Sequence, residues 1–66
     1  MKPRFKPGQR VRLTQKALAV GLQGRAPTVY GRVVATYELG PYVHVRRDGI
    51  TGVEKYHVSF WEPAHV

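Results

Sequence analysis

The chain has 66 residues, a net charge of +7 and no cysteine. A single domain of this size buries only about 60% of its unfolded surface, so its core must be small and economical. Disulfide staples and thiolate metal sites are excluded, a cytoplasmic location is the expectation, and no apolar run approaches the ~18–20 residues of a membrane span.

Residues 1–8 read as a basic N-terminal arm. Pro3, Pro7 and Gly8 oppose regular structure there, and Phe5 can pin the arm to the body. "QRVRLT" follows with period-two alternation: Val11 and Leu13 on one face, Arg10 and Arg12 on the other, as in a half-buried strand. Thr14 is placed to cap a helical turn through Ala17, Leu18 and Ala19, stopped at Gly21 or Gly24. The turn sits within a long first loop that continues through "RAPTV", since Pro27 biases Ala26 towards extended geometry.

"VYGRVVATYE" is the strongest strand, with Val33, Ala35 and Tyr37 inward and Arg32, Val34 and Thr36 outward. Gly31 within it marks either a bulge or a close backbone crossing. "GP" at 40–41 is a turn. "YVHVRR" is a third strand, Val43 and Val45 inward, Tyr42, His44 and Arg46 outward. "DG" at 48–49 signals a hairpin, "VEKY" a fourth short strand, "HVSF" a 3₁₀ turn and "WEPA" a closing strand. The fold class expected is all-β: one SH3-like five-stranded barrel over residues 9–66, with a long first loop and a 3₁₀ turn before the last strand, which returns to pair with the first.

The charge is lopsided. Residues 1–37 carry eight Lys or Arg and no Asp or Glu, whereas residues 38–66 carry three basic against four acidic residues. A one-signed field of this kind favours polyanions, above all phosphate backbones. The candidate contacts are Lys2, Arg4 and Lys6 on the arm, Arg25 in the first loop, and the outward stripe Arg10, Arg12 and Arg32, which has no acid nearby in sequence. Tyr42, His44 and Arg46, in phase on one strand, add stacking or base-edge contacts. Arg46 and Arg47 point to opposite faces; Arg47 serves either as part of a phosphate clamp or as a partner of Asp48 or Glu54. Of the remaining aromatics, Phe60, Trp61 and Tyr37 are expected in the core.

Enzyme chemistry finds little footing. His44, His57 and His65 lack metal-ligand spacing, so neither a metal nor a cofactor is expected. His57 is better suited to orienting the 3₁₀ turn by hydrogen bonding. There is one Ser, Ser59, no readable carboxylate pair, and "GLQG" lacks the Gly-Lys-Thr/Ser of a phosphate loop.

"KPGQRVRL" with "YGRVVATY" is similar to the KOW and Tudor-like barrels of ribosomal and transcription-associated proteins. The order "GQRVR", "GRVV", "YVHV", "VEKY" resembles the plasmid-encoded type B dihydrofolate reductases, tetrameric SH3-like barrels with one shared pore. That family's motif is a Val-Gln-Ile-Tyr strand plus a Lys. Here Val53 and Tyr56 match, Glu54 replaces the Gln, Lys55 the Ile, and Leu13 stands at the Lys. The resemblance implies the fold and a homo-oligomer, with Glu54, Lys55 and Tyr56 lining an altered pore. "VRRDG" leading to "YHVSFWEP" also looks like uncharacterised small barrel proteins of phages and mobile elements. Three readings follow: a non-enzymatic nucleic-acid-binding protein of low sequence specificity, which leads; a protein-interaction module whose groove is built by Tyr30, Tyr56 and Trp61; and a reductase relative.

Overall fold

The computed structural model describes residues 5–36 and 40–64. Five strands form one antiparallel sheet in the order β4-β3-β2-β1-β5: β1 (Arg10–Leu13), β2 (Tyr30–Thr36), β3 (Tyr42–Arg47), β4 (Glu54–His57) and β5 (Trp61–Pro63). One helix, α1 (Gln15–Ala19), follows β1, and a 3₁₀ turn, η1 (Val58–Phe60), precedes β5. The chain is thus all-β as its alternation foretold, and the last strand pairs with the first, Leu13 opposite Trp61. The sheet is open, with β4 and β5 as its two edges. No helix among the described residues is long and apolar enough to cross a membrane.

Local signals account for the small elements. Thr14 is the N-cap of α1, its side-chain oxygen accepting from the Ala17 N–H at 3.3 Å. The helix ends at Gly21 rather than Gly24. The Gly21 N–H donates to the Leu18 carbonyl and the Leu22 N–H to the Ala17 carbonyl, each at 3.0 Å, the paired bonds of a Schellman cap. Gly21 supplies the φ of +77° that this cap needs. At η1, His57 Nδ1 accepts from the Ser59 N–H at 3.1 Å, so the histidine does orient the turn that follows it.

The core lies on one face of the sheet. Val11, Leu13, Val33, Val43, Val45, Tyr56 and Trp61 are buried together with Phe5 and with Ala17 of α1. Phe5 therefore anchors the end of the arm, and the next turn is tied to β2 by Gly8 N–H donating to the Val33 carbonyl at 2.7 Å. Tyr56 and Trp61 meet edge to face with centroids 5.4 Å apart, a favoured aromatic geometry. Burial pushes the Tyr56 phenol above its ordinary pKa, with the Arg47 guanidinium pulling it partly back.

Two expectations about β2 change. Gly31 is a site of close approach, not a bulge: a Cβ there would lie 2.8 Å from Val45 Cγ1 and 3.1 Å from the Arg46 carbonyl oxygen. The irregularity falls between Val33 and Ala35. Past it, Ala35 stands opposite His44 and Thr36 opposite Val43, so strict alternation does not carry Ala35 to the core. Tyr37 lies outside the described residues. The Asp48-Gly49 turn closes with Ile50 N–H donating to the Arg47 carbonyl at 3.1 Å, but β4 starts only at Glu54. The hairpin connection is therefore residues 48–53 rather than a two-residue turn.

Candidate nucleic-acid interface

The basic candidates are placed by strand register. Arg10 of β1 stands opposite Arg32 of β2, and Arg32 stands opposite Arg46 of β3. Residues directly paired across antiparallel strands share a face, so these three guanidinium groups form one cross-strand row on the face away from the core. Arg12 shares that face on the next rung of β1, paired with Tyr30 on one side and with Glu62 on the other. Arg10, Arg12 and Arg32 thus share the outward face of two neighbouring strands as expected, and Arg46 extends the row across β3.

Acids distant in sequence reach two of the arginines. Arg10 donates through Nη1 to Asp48 Oδ1 at 2.8 Å and through Nη2 to Asp48 Oδ2 at 2.5 Å. This two-pronged geometry is the strong form of the arginine–carboxylate contact. The hydrogen bond to Asp48 raises the Arg10 pKa, and the same bond holds the Asp48 carboxyl below its ordinary value, with Arg32 adding to the depression. Arg10 also lies 5.3 Å above the Tyr30 ring, a cation–π arrangement that fixes the guanidinium further. Arg12 Nε meets Glu62 Oε2 at 3.3 Å, both about half exposed, where such a pair contributes little.

Arg32 and Arg46 are exposed. Among the described residues neither has a carboxylate within ion-pairing distance, and Arg32 Nη1 donates to the Gly8 carbonyl at 3.2 Å. Asp48 is held against β2 by its own N–H, which donates to the Tyr30 carbonyl at 3.1 Å. Its carboxylate thus sits at the row of arginines as an anion would.

Arg47 turns to the other side of β3, as alternation required, and is half-buried. Neither expected acid is its partner. Asp48 is taken by Arg10, and Glu54 Oε2 accepts from the Tyr56 hydroxyl at 3.2 Å. Arg47 Nη2 instead donates to the Gln23 carbonyl in the first loop at 2.8 Å, so it ties loop to sheet and is no half of a surface clamp.

The remaining candidates scatter. Lys6 and Arg25 are exposed; Lys2, Arg4 and His65 lie outside the described residues. Tyr42 is 42% exposed, and His44 is half-buried opposite Lys55. Glu54 and Lys55 are exposed on the edge strand β4, while Tyr56 faces the core, so the Glu-Lys-Tyr trio is divided between the two faces. Tyr56 and Trp61 are buried against each other and Tyr30 is on the opposite face of the sheet. A groove built from those three is therefore absent, because period-two geometry separates them. Among the described residues no group of three or more His, Asp or Glu is arranged to hold a metal.

Sequence reasoning missed Asp48 as the partner of Arg10. The Asp-Gly pair marked a turn, but nothing local showed that the turn would deliver the carboxylate across two strands. No family model matches the chain, and neither a curated protein nor a solved structure does.

Proposed function

We propose that this chain is a small, non-enzymatic nucleic-acid-binding protein that grips phosphates with the outer face of its sheet and reads little sequence. The observation that carries the proposal is the cross-strand row Arg10–Arg32–Arg46, in a chain whose first 37 residues contain no acid. Neighbouring strands lie about 4.8 Å apart, so the row presents closely spaced forked donors suited to phosphate oxygens. Lys2, Arg4 and Lys6 add charge from the arm, and Arg25 from the first loop. Low specificity follows because phosphate contacts position a nucleic acid without reading its bases. We further read the sheet as an SH3-like barrel, supported by the order β4-β3-β2-β1-β5 and by the 3₁₀ turn leading into β5.

The test is affinity for DNA and RNA oligonucleotides, by fluorescence anisotropy, between about 50 and 200 mM salt. Affinity should fall steeply, with a log–log slope near −0.9 per phosphate neutralised on duplex. Arg32→Ala and Arg46→Ala should each flatten that slope by about one. An affinity that hardly moves with salt overturns the proposal.

A further inference from the structure

A second feature crosses the opposite end of the sheet. Lys55 Nζ lies 5.1 Å over the Tyr42 ring. Tyr42 meets the His57 ring edge to face at 5.8 Å, and His57 meets Phe60 at 6.4 Å. Lys16 Nζ of α1 lies 5.5 Å over Phe60. Three rings in sequence are thus closed at both ends by an ammonium group. Tyr42, Lys16 and Lys55 are exposed, and His57 and Phe60 are half-buried.

The strip is held in place. Ser59 Oγ lies 2.8 Å from His57 Nδ1 and accepts from Lys16 Nζ at 3.3 Å, and Tyr42 and His57 are a direct cross-strand pair. Three acids are among the described residues, and each is engaged outside the strip: Asp48 by Arg10, Glu62 by Arg12 and Glu54 by the Tyr56 hydroxyl. Rings flanked by cations suit a partner that carries flat π-faces together with negative charge.

We infer that this strip is a base-stacking platform that makes the protein prefer single-stranded nucleic acid over duplex. The inference rests on the phosphate-binding reading above, and it names the substrate class. Tyr42 and Arg46 share the outer face of β3, both exposed. Four residue steps along the strand set them about 13 Å apart, so one strand laid along β3 meets the arginine row at one end and the rings at the other. Bases already stacked inside a duplex cannot reach Tyr42, whereas unpaired bases stack on any ring face.

The experiment compares thymine and uracil homopolymers of about fifteen nucleotides with a duplex of equal length, at fixed low salt. The wild type binds the single strands more tightly than the duplex. Tyr42→Ala weakens single-strand binding by about five- to 150-fold, leaves duplex binding unchanged and leaves the salt slope intact, while Tyr42→Phe retains the affinity. NMR of the wild-type protein supplies a reading free of any folding defect. The Tyr42 and Phe60 ring signals should shift with the thymine oligonucleotide and stay fixed with inorganic polyphosphate, which carries charge without bases. Full affinity in Tyr42→Ala, equal losses on single strand and duplex, or static ring signals overturn the platform. Failure of the wild type to bind any of the nucleic acids overturns instead the phosphate-binding reading on which it stands.

Discussion

Arg10 and Asp48, 38 residues apart in the chain, are locked in a two-pronged ion pair on the outer face of the sheet. About a third of each side chain remains exposed, so the pair is a surface feature with good geometry rather than a buried anchor. Its position matters more than its strength. The carboxylate occupies one arginine of a three-arginine row and depends electrostatically on a second, which makes Asp48 a competitor for the anion that the row is proposed to bind.

Asp48→Ala should therefore raise affinity for nucleic acid. Freeing Arg10 should steepen the salt slope by about one phosphate equivalent. The cost to stability should be at most about 1 kcal/mol, because the pair is partly solvated. Anisotropy titrations at several salt concentrations measure the first effect and urea melts the second. A weaker affinity in the variant would mean that Asp48 orients Arg10 for its task instead of occupying it.

The same pair predicts an acid limb. Arg10 lowers the Asp48 pKa in the folded state, so the folded protein holds this carboxylate ionised more tightly than the unfolded chain does. The contribution is complete above the ordinary value of about 4 and fades as pH drops through the lower folded value. Melting temperatures of wild type and Asp48→Asn should therefore differ at neutral pH and converge as pH falls below about 4. A constant difference down to the acid limit would deny the coupling.

Gly31→Ala should destabilise the fold by roughly 1–3 kcal/mol. The added methyl would press on Val45 Cγ1 and on the Arg46 backbone, at the end of the β2–β3 pairing, one rung from the Arg32–Arg46 pair of the arginine row. Denaturant titration should show a lower midpoint with an unchanged slope. An unaltered midpoint would mean that the two strands separate freely at this point.

Thr14→Ala should cost about 1–2 kcal/mol, near the upper end for a helix cap. Thr14 Oγ1 accepts from the Ala17 N–H and also donates to the Ser59 carbonyl at 3.0 Å, while the Thr14 N–H donates to the Phe60 carbonyl at 3.0 Å. The side chain therefore couples α1 to η1 as well as closing the helix. Thr14→Ser keeps both side-chain bonds and should restore most of the loss, which thermal melts of the three proteins would register.

Much of the fold was legible in the chain because its signals are local. Alternation over two residues set the inward faces of β1 and β3, with Val11, Leu13, Val43 and Val45 buried as expected. Thr14 and His57 each serve a backbone N–H within three residues, and a hydrophobic Phe5 amid prolines and lysines pointed to an anchored arm. These features act between near neighbours, so composition and spacing suffice to place them.

The site was legible only in outline. That the first 37 residues carry unopposed positive charge could be counted in the sequence, and so could the outward phase of Arg10, Arg32 and Arg46. Which arginines form a row is a matter of register between strands. So too is the choice of Arg10 by Asp48, of Arg12 by Glu62, and of the Gln23 carbonyl by Arg47. The irregularity at Val33 and Ala35 changes the phase of β2 without any glycine to announce it, and the strip from Lys55 to Lys16 draws on β4, β3, η1 and α1 at once. Residue identity and near-neighbour geometry determined the elements and the sign of the field. The pairing of strands tens of residues apart, driven by burial of one shared core, decided which charges and rings meet.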